Sequence, residues 1–372
     1  MFKSVLGLRF VLRIGPNIAQ PAPYEVTTAL THVEVTDNAE ERDGFQMTFT
    51  LSKAKASDYN LLQSGVFDPY SRVMLGIILG GTTEVLMDGL ITHHQFAPSN
   101  DPGTLTLTVT GEDIGLKFDL EEKNMSYPNM SDSQIVQQVL GQYAGLGLNM
   151  KVKKTDDTPH ENQRVTRQHS TDLKFLQMLA KRNGFVFYID PDSFSSSKVY
   201  WGIENRLDTP QPALSMNMGS NTNITSLTFT NNAMTPVNVK GSYIDPESKR
   251  LNAVSPPSSD LKQLVATATK NQRTVLLRNA GQRDLSQASL AASALTSDNT
   301  KSVTGNGQLD TINYGYLLRA GELVGVRGMG ASYNGNYYVR QVKHTIEHGT
   351  YTQSFTLTRE GTGALQNKVQ SF

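Results

Sequence analysis

The chain contains no cysteine. This excludes disulfides, thiolate nucleophiles and any zinc site built on sulfur. It is also short of charge: charged residues are 18% of 372, and 34 Lys and Arg balance 34 Asp and Glu to a net charge of zero. A neutral chain with no basic run has no electrostatic footprint for nucleic acid, so sequence recognition of DNA or RNA is not expected. Long apolar runs are missing too. The longest uncharged hydrophobic stretch, near Val73–Thr83, is punctuated by Gly76, Gly80 and Gly81 and falls far short of the roughly 20 residues a membrane-spanning helix needs. At the N-terminus Lys3, Arg9 and Arg13 break up the apolar pattern before a signal-peptide core can form, so neither a leader nor a membrane span is expected.

What is abundant is alternation. Met47–Leu51, Thr104–Thr110, Leu227–Thr230 and Gln353–Thr358 each alternate Thr, Ser or Gln with large apolar residues, the period of a strand with one face on a core. Leu8–Ile14 alternates as well and stops at Gly15-Pro16. Thr31–Thr36 and Thr83–Phe96 add strands to the first 120 residues, and Gly321–Arg327, Asn336–Ile346 and Tyr351–Arg359 repeat the pattern near the C-terminus.

Helical periodicity is confined to the middle. Ser131 or Asp132 caps a helix carrying Ile135, Val136, Val139 and Leu140, which Gly141 or Gly145 stops. Ser170 or Thr171 caps a second, with Leu173, Leu176, Leu179 and Ala180 on one stripe, Lys181 and Arg182 in the last turn and Gly184 as the stop. Strand Phe185–Asp190 follows, with Val199–Gly202 as its partner. A third helix is expected over Asp284–Leu295, after an ambiguous stretch from Asp260 to Asn279. Ser255–Asp260 reads as a linker, Gly and Asn cluster from Asn299 to Asn313, and a frayed or partner-ordered tail is expected after Gly361.

The fold class is therefore mainly β with a small α/β insertion. The expected division is a first β domain over 1–120, an αβ insertion over 121–205, a β segment over 206–255 leading to the second barrel, a linker and helical region over 256–300, and second-barrel strands with a tail over 301–372.

The best catalytic lure is His344-Thr-Ile-Glu347-His348, which matches the H-x-x-E-H zinc-peptidase pattern. That chemistry needs a helix. In a strand, residues four apart are separated by roughly 13 Å and Glu347 points to the opposite face, so the segment is read as a strand ending in a turn at His348-Gly349. His93-His94 lies in a strand with its rings on opposite faces. The paired acids Glu40-Glu41 and Glu121-Glu122 read as solvated. No glycine pattern has the strand–turn–helix context of a nucleotide site, and the sequence offers no catalytic, cofactor-binding or metal residue, and no cofactor.

Three stretches together resemble the phage late control D family of baseplate hub proteins, which is similar to the hub portion of valine-glycine repeat spike proteins. Gln168–Phe185 is similar to that family's Ser-Asp-x-x-Phe-Leu-x-x-Leu-Ala-x-x-x-Gly helix and strand, with Thr171 in the Ser place. The C-terminal match runs from the Ala-rich Arg283–Leu295 through Gly305-Asn-Gly307 and Leu318–Val326 to Tyr333–His344, closing with a turn at Gly349-Thr-Tyr351 into Thr352–Arg359. The N-terminal match rests on strand pattern and Val109–Asp113.

The resemblance implies two tail-tube-like antiparallel β-barrels per subunit and a homotrimer forming a pseudo-six-fold ring. It also implies partners: the inner tail-tube protein, a separate trimeric spike protein, other baseplate proteins and, as a further candidate, the tape measure protein. The implied location is the baseplate of a virion tail or injection system, assembled in the host cytoplasm, and the implied role is structural and non-enzymatic. The alternatives are a tube-like or distal-tail protein of a non-contractile phage and a tail-associated wall hydrolase or peptidase. Which residues contact partners is not readable from one sequence.

Overall fold

The structure is a computed structural model that describes residues 8–16, 18–52, 65–98, 104–244, 248–254, 261–270, 273–277 and 285–365. The expected linker at 255–260 lies outside the described residues, as do Asp284 at the start of the third helix and the tail from residue 366.

The N-terminal part contains β1 (Leu8–Gly15), β2 (Gln20–Pro21), α1 (Tyr24–Ala29), β3 (Leu30–Asn38), β4 (Gly44–Ser52), β5 (Arg72–Leu79), β6 (Thr82–Pro98) and β7 (Thr104–Asp113). The alternating segments at 8–14, 31–36, 47–51 and 104–110 all fall in these strands. Their apolar positions do what the period requires: Val33 and Val35, Met47 and Phe49, Leu107 and Val109 are fully buried in one core. That core also takes in Leu12 of β1 at one end of the run and Ile346 and Tyr351 beyond β3 at the other, so the sheet curls around a shared interior.

The insertion comprises β8 (Glu122–Tyr127), α2 (Asp132–Gly141), β9 (Leu148–Val152), β10 (Thr166–Thr171), α3 (Asp172–Asn183), β11 (Val186–Ser193) and β12 (Ser196–Gly202). Both caps form as the sequence signals. Ser131 and Gln134 make a reciprocal capping box on α2, and the Thr171 hydroxyl accepts the Lys174 N–H of α3. Ile135, Val136, Val139 and Leu140 meet Leu173, Leu176 and Leu179 around Trp201. The insertion also grips the N-terminal strands: Ser197 Oγ donates to Asp88 Oδ2 at 3.0 Å, and Arg13 of β1 stacks over the Phe194 ring at the tip of the β11–β12 hairpin.

The last part contains β13 (Gln211–Ser215), β14 (Ser226–Asn231), β15 (Val237–Ile244), β16 (Leu251–Val254), β17 (Val265–Ala268), β18 (Arg273–Leu276), α4 (Leu285–Asp298), β19 (Val303–Asp310), β20 (Leu323–Arg327), β21 (Gly335–Glu347), β22 (Thr350–Arg359) and β23 (Gly361–Ala364). The ambiguous stretch thus supplies two short strands, and Gly361–Ala364, at the start of the tail expected to be frayed or partner-ordered, pairs with β17. The Gly/Asn cluster becomes the core strand β19, between β14 and β22. Its glycines sit where side chains cannot: a Cβ on Gly307 would come 2.5 Å from the Phe355 ring and 2.6 Å from the Ser226 carbonyl oxygen.

The two halves share one 13-stranded sheet, whose main path runs β14–β19–β22–β21–β3–β4–β7–β6–β5–β1–β2. The joint is β21. Along one edge its first residues, Gly335–Tyr338, pair with β20 and its last, Gln341–Glu347, pair with β3, while β22 runs beside Tyr338–Glu347 on the other edge. Register shifts at Arg340, a bulge between the two pairings. The structure is mainly β with an αβ insertion, and along its main path the long sheet is antiparallel throughout.

Gly184 ends α3 in the left-handed region at φ 66°, and its Cα faces Ala294 of α4, where an added Cβ would come within 3.1 Å of the Ala294 Cα. A β-branched side chain there meets both backbone strain and a backbone contact. Gly184→Val is expected to lose about 2 kcal/mol or more of stability, read as a lower midpoint in urea unfolding. An unchanged midpoint would show that this cap carries no strain.

Candidate functional site: the sheet face and the charged junction

The metallopeptidase pattern dissolves on contact with the structure. His344 is fully buried in β21, where its Nδ1 sits 2.9 Å from the Tyr351 hydroxyl. Burial, with Arg319 adding to it, pushes this imidazole down to about 3, so it stays neutral. His348 occupies the turn after the strand, and Glu347 points to the other face, 3.0 Å from His32 Nδ1. His93 and His94 are both exposed, on opposite faces of β6. Among the described residues no group of three or more His, Asp or Glu has metal-holding geometry.

The register brings together a broad polar face instead. Asp310, Thr352, Thr345, Glu34, Gln46, Thr110 and His93 lie side by side across β19, β22, β21, β3, β4, β7 and β6. The next row holds Thr350, Glu347, His32, Thr48, Thr108 and Gln95. None of these side chains is a large apolar group. The polar side chains in the middle contact one another: Lys343 Nζ is 2.9 Å from Glu34, and His32 lies between Glu34 and Glu347. Burial alone would raise the Glu34 carboxyl, but Lys343 and His32 outweigh it and hold it below the usual range.

Behind this face, where both halves meet the insertion, two charged clusters form that the sequence did not signal. The first is a set of buried carboxyls. Asp37 Oδ2 accepts the Ala320 N–H at 2.9 Å, Asp43 Oδ1 accepts the Asn38 N–H at 2.7 Å, and Asp113 accepts the N–H groups of Gly115 at 2.6 Å and Asp43 at 3.1 Å. Burial raises all three, Asp37 to about 7 and Asp113 to about 6, with neighbouring carboxylates adding to the rise at Asp37 and Asp43.

A carboxyl raised from near 4 in the unfolded chain to about 6–7 in the fold favours the fold fully at acid pH, and that contribution is lost as pH rises through the folded value. Asp43→Asn keeps an acceptor for Asn38 and removes one charge. Between pH 4 and 7.5 its stability is expected to fall less than that of the parent, as read from denaturant midpoints at both pH values. Parallel curves would show that the Asp43 carboxyl is not raised in the fold.

The second cluster is a chain of ion pairs beside a cleft of about 660 Å³ lined by the β3–β4 turn, the end of α3, Lys301 and the β21 bulge. Arg340 contacts Glu40 at 2.9 Å, Glu40 and Glu204 both bind Lys301, and Glu204 binds Arg206 at 2.7 Å, which in turn reaches Glu360. Glu40, which reads as a solvated acid in the sequence, is thus a member of this network. Burial alone would raise Glu204, yet Lys301 and Arg206 hold it below the normal carboxylate range.

The fold defined by these elements is that of phage tail proteins. A tail protein from Neisseria meningitidis MC58 superposes with a TM-score of 0.64 at 12% identity, over 94% of this chain and 97% of that one. The 43 kDa tail protein of prophage MuSo2 from Shewanella oneidensis gives 0.64 at 14% identity, over 95% and 98%. A chain of the Francisella PdpA–VgrG complex gives 0.56 at 12% identity, over 99% of this chain and 61% of that one. No curated protein sequence matches. The sequence profile of the Alg8 N-terminal domain family matches residues 22–348, and the chain belongs to that family. Among the described residues no helix is long and apolar enough to cross a membrane.

Proposed function

We propose that this chain is a non-enzymatic structural hub of a tail or injection-system baseplate, of the late control D type. In this reading it assembles as a homotrimer whose pseudo-six-fold ring joins a hexameric inner tube to a separate trimeric spike, with other baseplate proteins around it. Residues 1–120 and the strands after residue 206 act as the two tube-like units, and 121–205 as the insertion.

The observation that carries the reading is the single sheet passing through both halves with one polar, hydroxyl-rich face. Such a face is wetted and offers no apolar patch to retain passing cargo, as the wall of a conduit requires. The likeness in fold to phage tail proteins and to a VgrG-complex chain supports the same role.

Electron microscopy of the purified chain, alone and with its candidate spike, tests it. Three-fold rings with an open centre, capped when the spike is present, are the expected result. Hexameric rings would replace the hub with the tube-like or distal-tail alternative. Monomers under both conditions would overturn the assembly reading.

A further inference from the structure

The β11–β12 hairpin is held in two different ways along its length. Its inner residues Phe187, Ile189, Val199 and Trp201 are anchored in the insertion core. Its outer end, from Asp190 to Lys198, gives no side chain to any of the apolar cores, and the strand register slips between Pro191 and Ser193. This end rests on the N-terminal strands through polar contacts. The buried Ser197 hydroxyl donates to Asp88, whose carboxylate is gripped by Arg72 at 2.6 Å and 2.7 Å, and the Arg13 guanidinium lies 4.5 Å from the centre of the Phe194 ring.

At the base of that outer end carboxyls outnumber cations. Asp190 pairs with Lys198 across the hairpin at 2.9 Å, and it faces Asp37 of β3, Asp43 of the β3–β4 turn and Glu322 of the loop before β20. Asp113 at the end of β7 adjoins Asp43, and Asp208 stands near Glu322. Two cations answer them, Lys198 and Arg319, and Arg319 is shared with Glu84 at 3.0 Å. Arg42, which faces Asp113, is taken by Glu112 and Asp119. The other titratable neighbours stay uncharged: burial raises the Tyr188 and Tyr351 phenols and lowers the His344 imidazole.

We propose that the outer end of this hairpin is a proton-operated clasp, closed on the N-terminal strands while Asp37 is protonated and released when Asp37 ionises and confronts Asp190 across the joint. The hinge is the Asp190–Lys198 pair, because the residues inside it are anchored and those outside it are not. Asp37 sits at about 7, so the change falls between mild acid and neutrality. Above that point β3 presents a new buried negative charge to the insertion, and the two cations at hand are already engaged. Opening breaks one hydrogen bond and one ring stack and uncovers no residue of the insertion core, which places this segment at the low-stability end of the molecule. The clasp does not depend on the ring reading above.

Because the chain has no cysteine, Ser197→Cys puts its only thiol in the closed contact, and Ser195→Cys puts one on the exposed tip as a reference. An ordinary thiol titrates near about 8.5, so between pH 5.5 and 7.5 the dependence of labelling on thiolate is common to both variants and drops out of the ratio of their rates with N-ethylmaleimide. That ratio, buried over exposed, is expected to rise about tenfold from pH 5.5 to 7.5 as the ionised fraction of Asp37 grows. Adding Asp37→Asn, which keeps an acceptor for the Ala320 N–H and cannot ionise, should hold the ratio low at both pH values. Asp190→Asn, which removes the opposing charge instead, should flatten it as well. A ratio that does not change with pH in the otherwise unaltered chain, whether low or near one, would overturn the clasp. So would a rise that persists in either folded Asn variant.

Discussion

Leu176→Asp is expected to yield no soluble folded protein. Leu176 lies in the middle of α3, fully buried, with Leu173, Phe175 and Leu179 around it, and its carbonyl accepts the Trp201 indole N–H at 3.3 Å. The substitution removes a buried leucine, worth about 2–5 kcal/mol when the side chain is lost. It also places a carboxylate among the apolar side chains of the insertion core, at a further cost of several kcal/mol. The sum approaches the whole stability of a typical domain, about 5–15 kcal/mol. Expression followed by size-exclusion chromatography and circular dichroism checks it. A soluble variant with the parent's melt would mean that the insertion core does not support the rest of the chain. Leu176→Met, similar in volume, should lose less than about 1.5 kcal/mol.

Glu204→Ala is expected to be the second most damaging change, costing about 3–5 kcal/mol. Glu204 and Arg206 are almost fully buried, and Lys301 nearly so. Removing the carboxylate strips one partner from both cations at once and leaves them in a place water scarcely reaches. Since the pairs are buried, the loss should persist in high salt, unlike that of a surface ion pair. Urea unfolding of parent and variant at low and high salt measures both. A loss below about 1 kcal/mol, or one that salt abolishes, would mean that the network is solvated. The acid response runs opposite to that of the Asp37 cluster: a carboxylate held low contributes stability above the unfolded value and loses it as pH falls through the folded one.

Helix α3 was legible because every local signal agreed: Thr171 at one end, an apolar stripe at helical spacing, basic residues in the last turn and Gly184 at the other end. The alternating strands were legible for the same reason. Strand β19 was not, because two of its four core-facing positions, between Val303 and Leu309, are Gly305 and Gly307. There the aromatic rings of Phe229 and Phe355 from neighbouring strands fill the space, so the apolar period belongs to the partners and vanishes from the strand itself. The junction was hidden differently. Asp37, Asp43 and Asp113 look like turn acids, and only the pairing of β3, β4 and β7 shows that they converge. Glu40 reads as solvated until Lys301, 261 residues away, is placed beside it.

The shared strand β21 also has a mechanical meaning. Force entering one half along the strand direction passes to the other through a single unbroken backbone, held along one edge by β22 and along the other by β20 and then β3. Loaded that way, the ladders resist in shear, with many hydrogen bonds sharing the strain together rather than opening one at a time. Pulling the halves apart would mean breaking that whole set of bonds at once, so they bear a thrust as one stiff body where two domains on a flexible linker would fold about it.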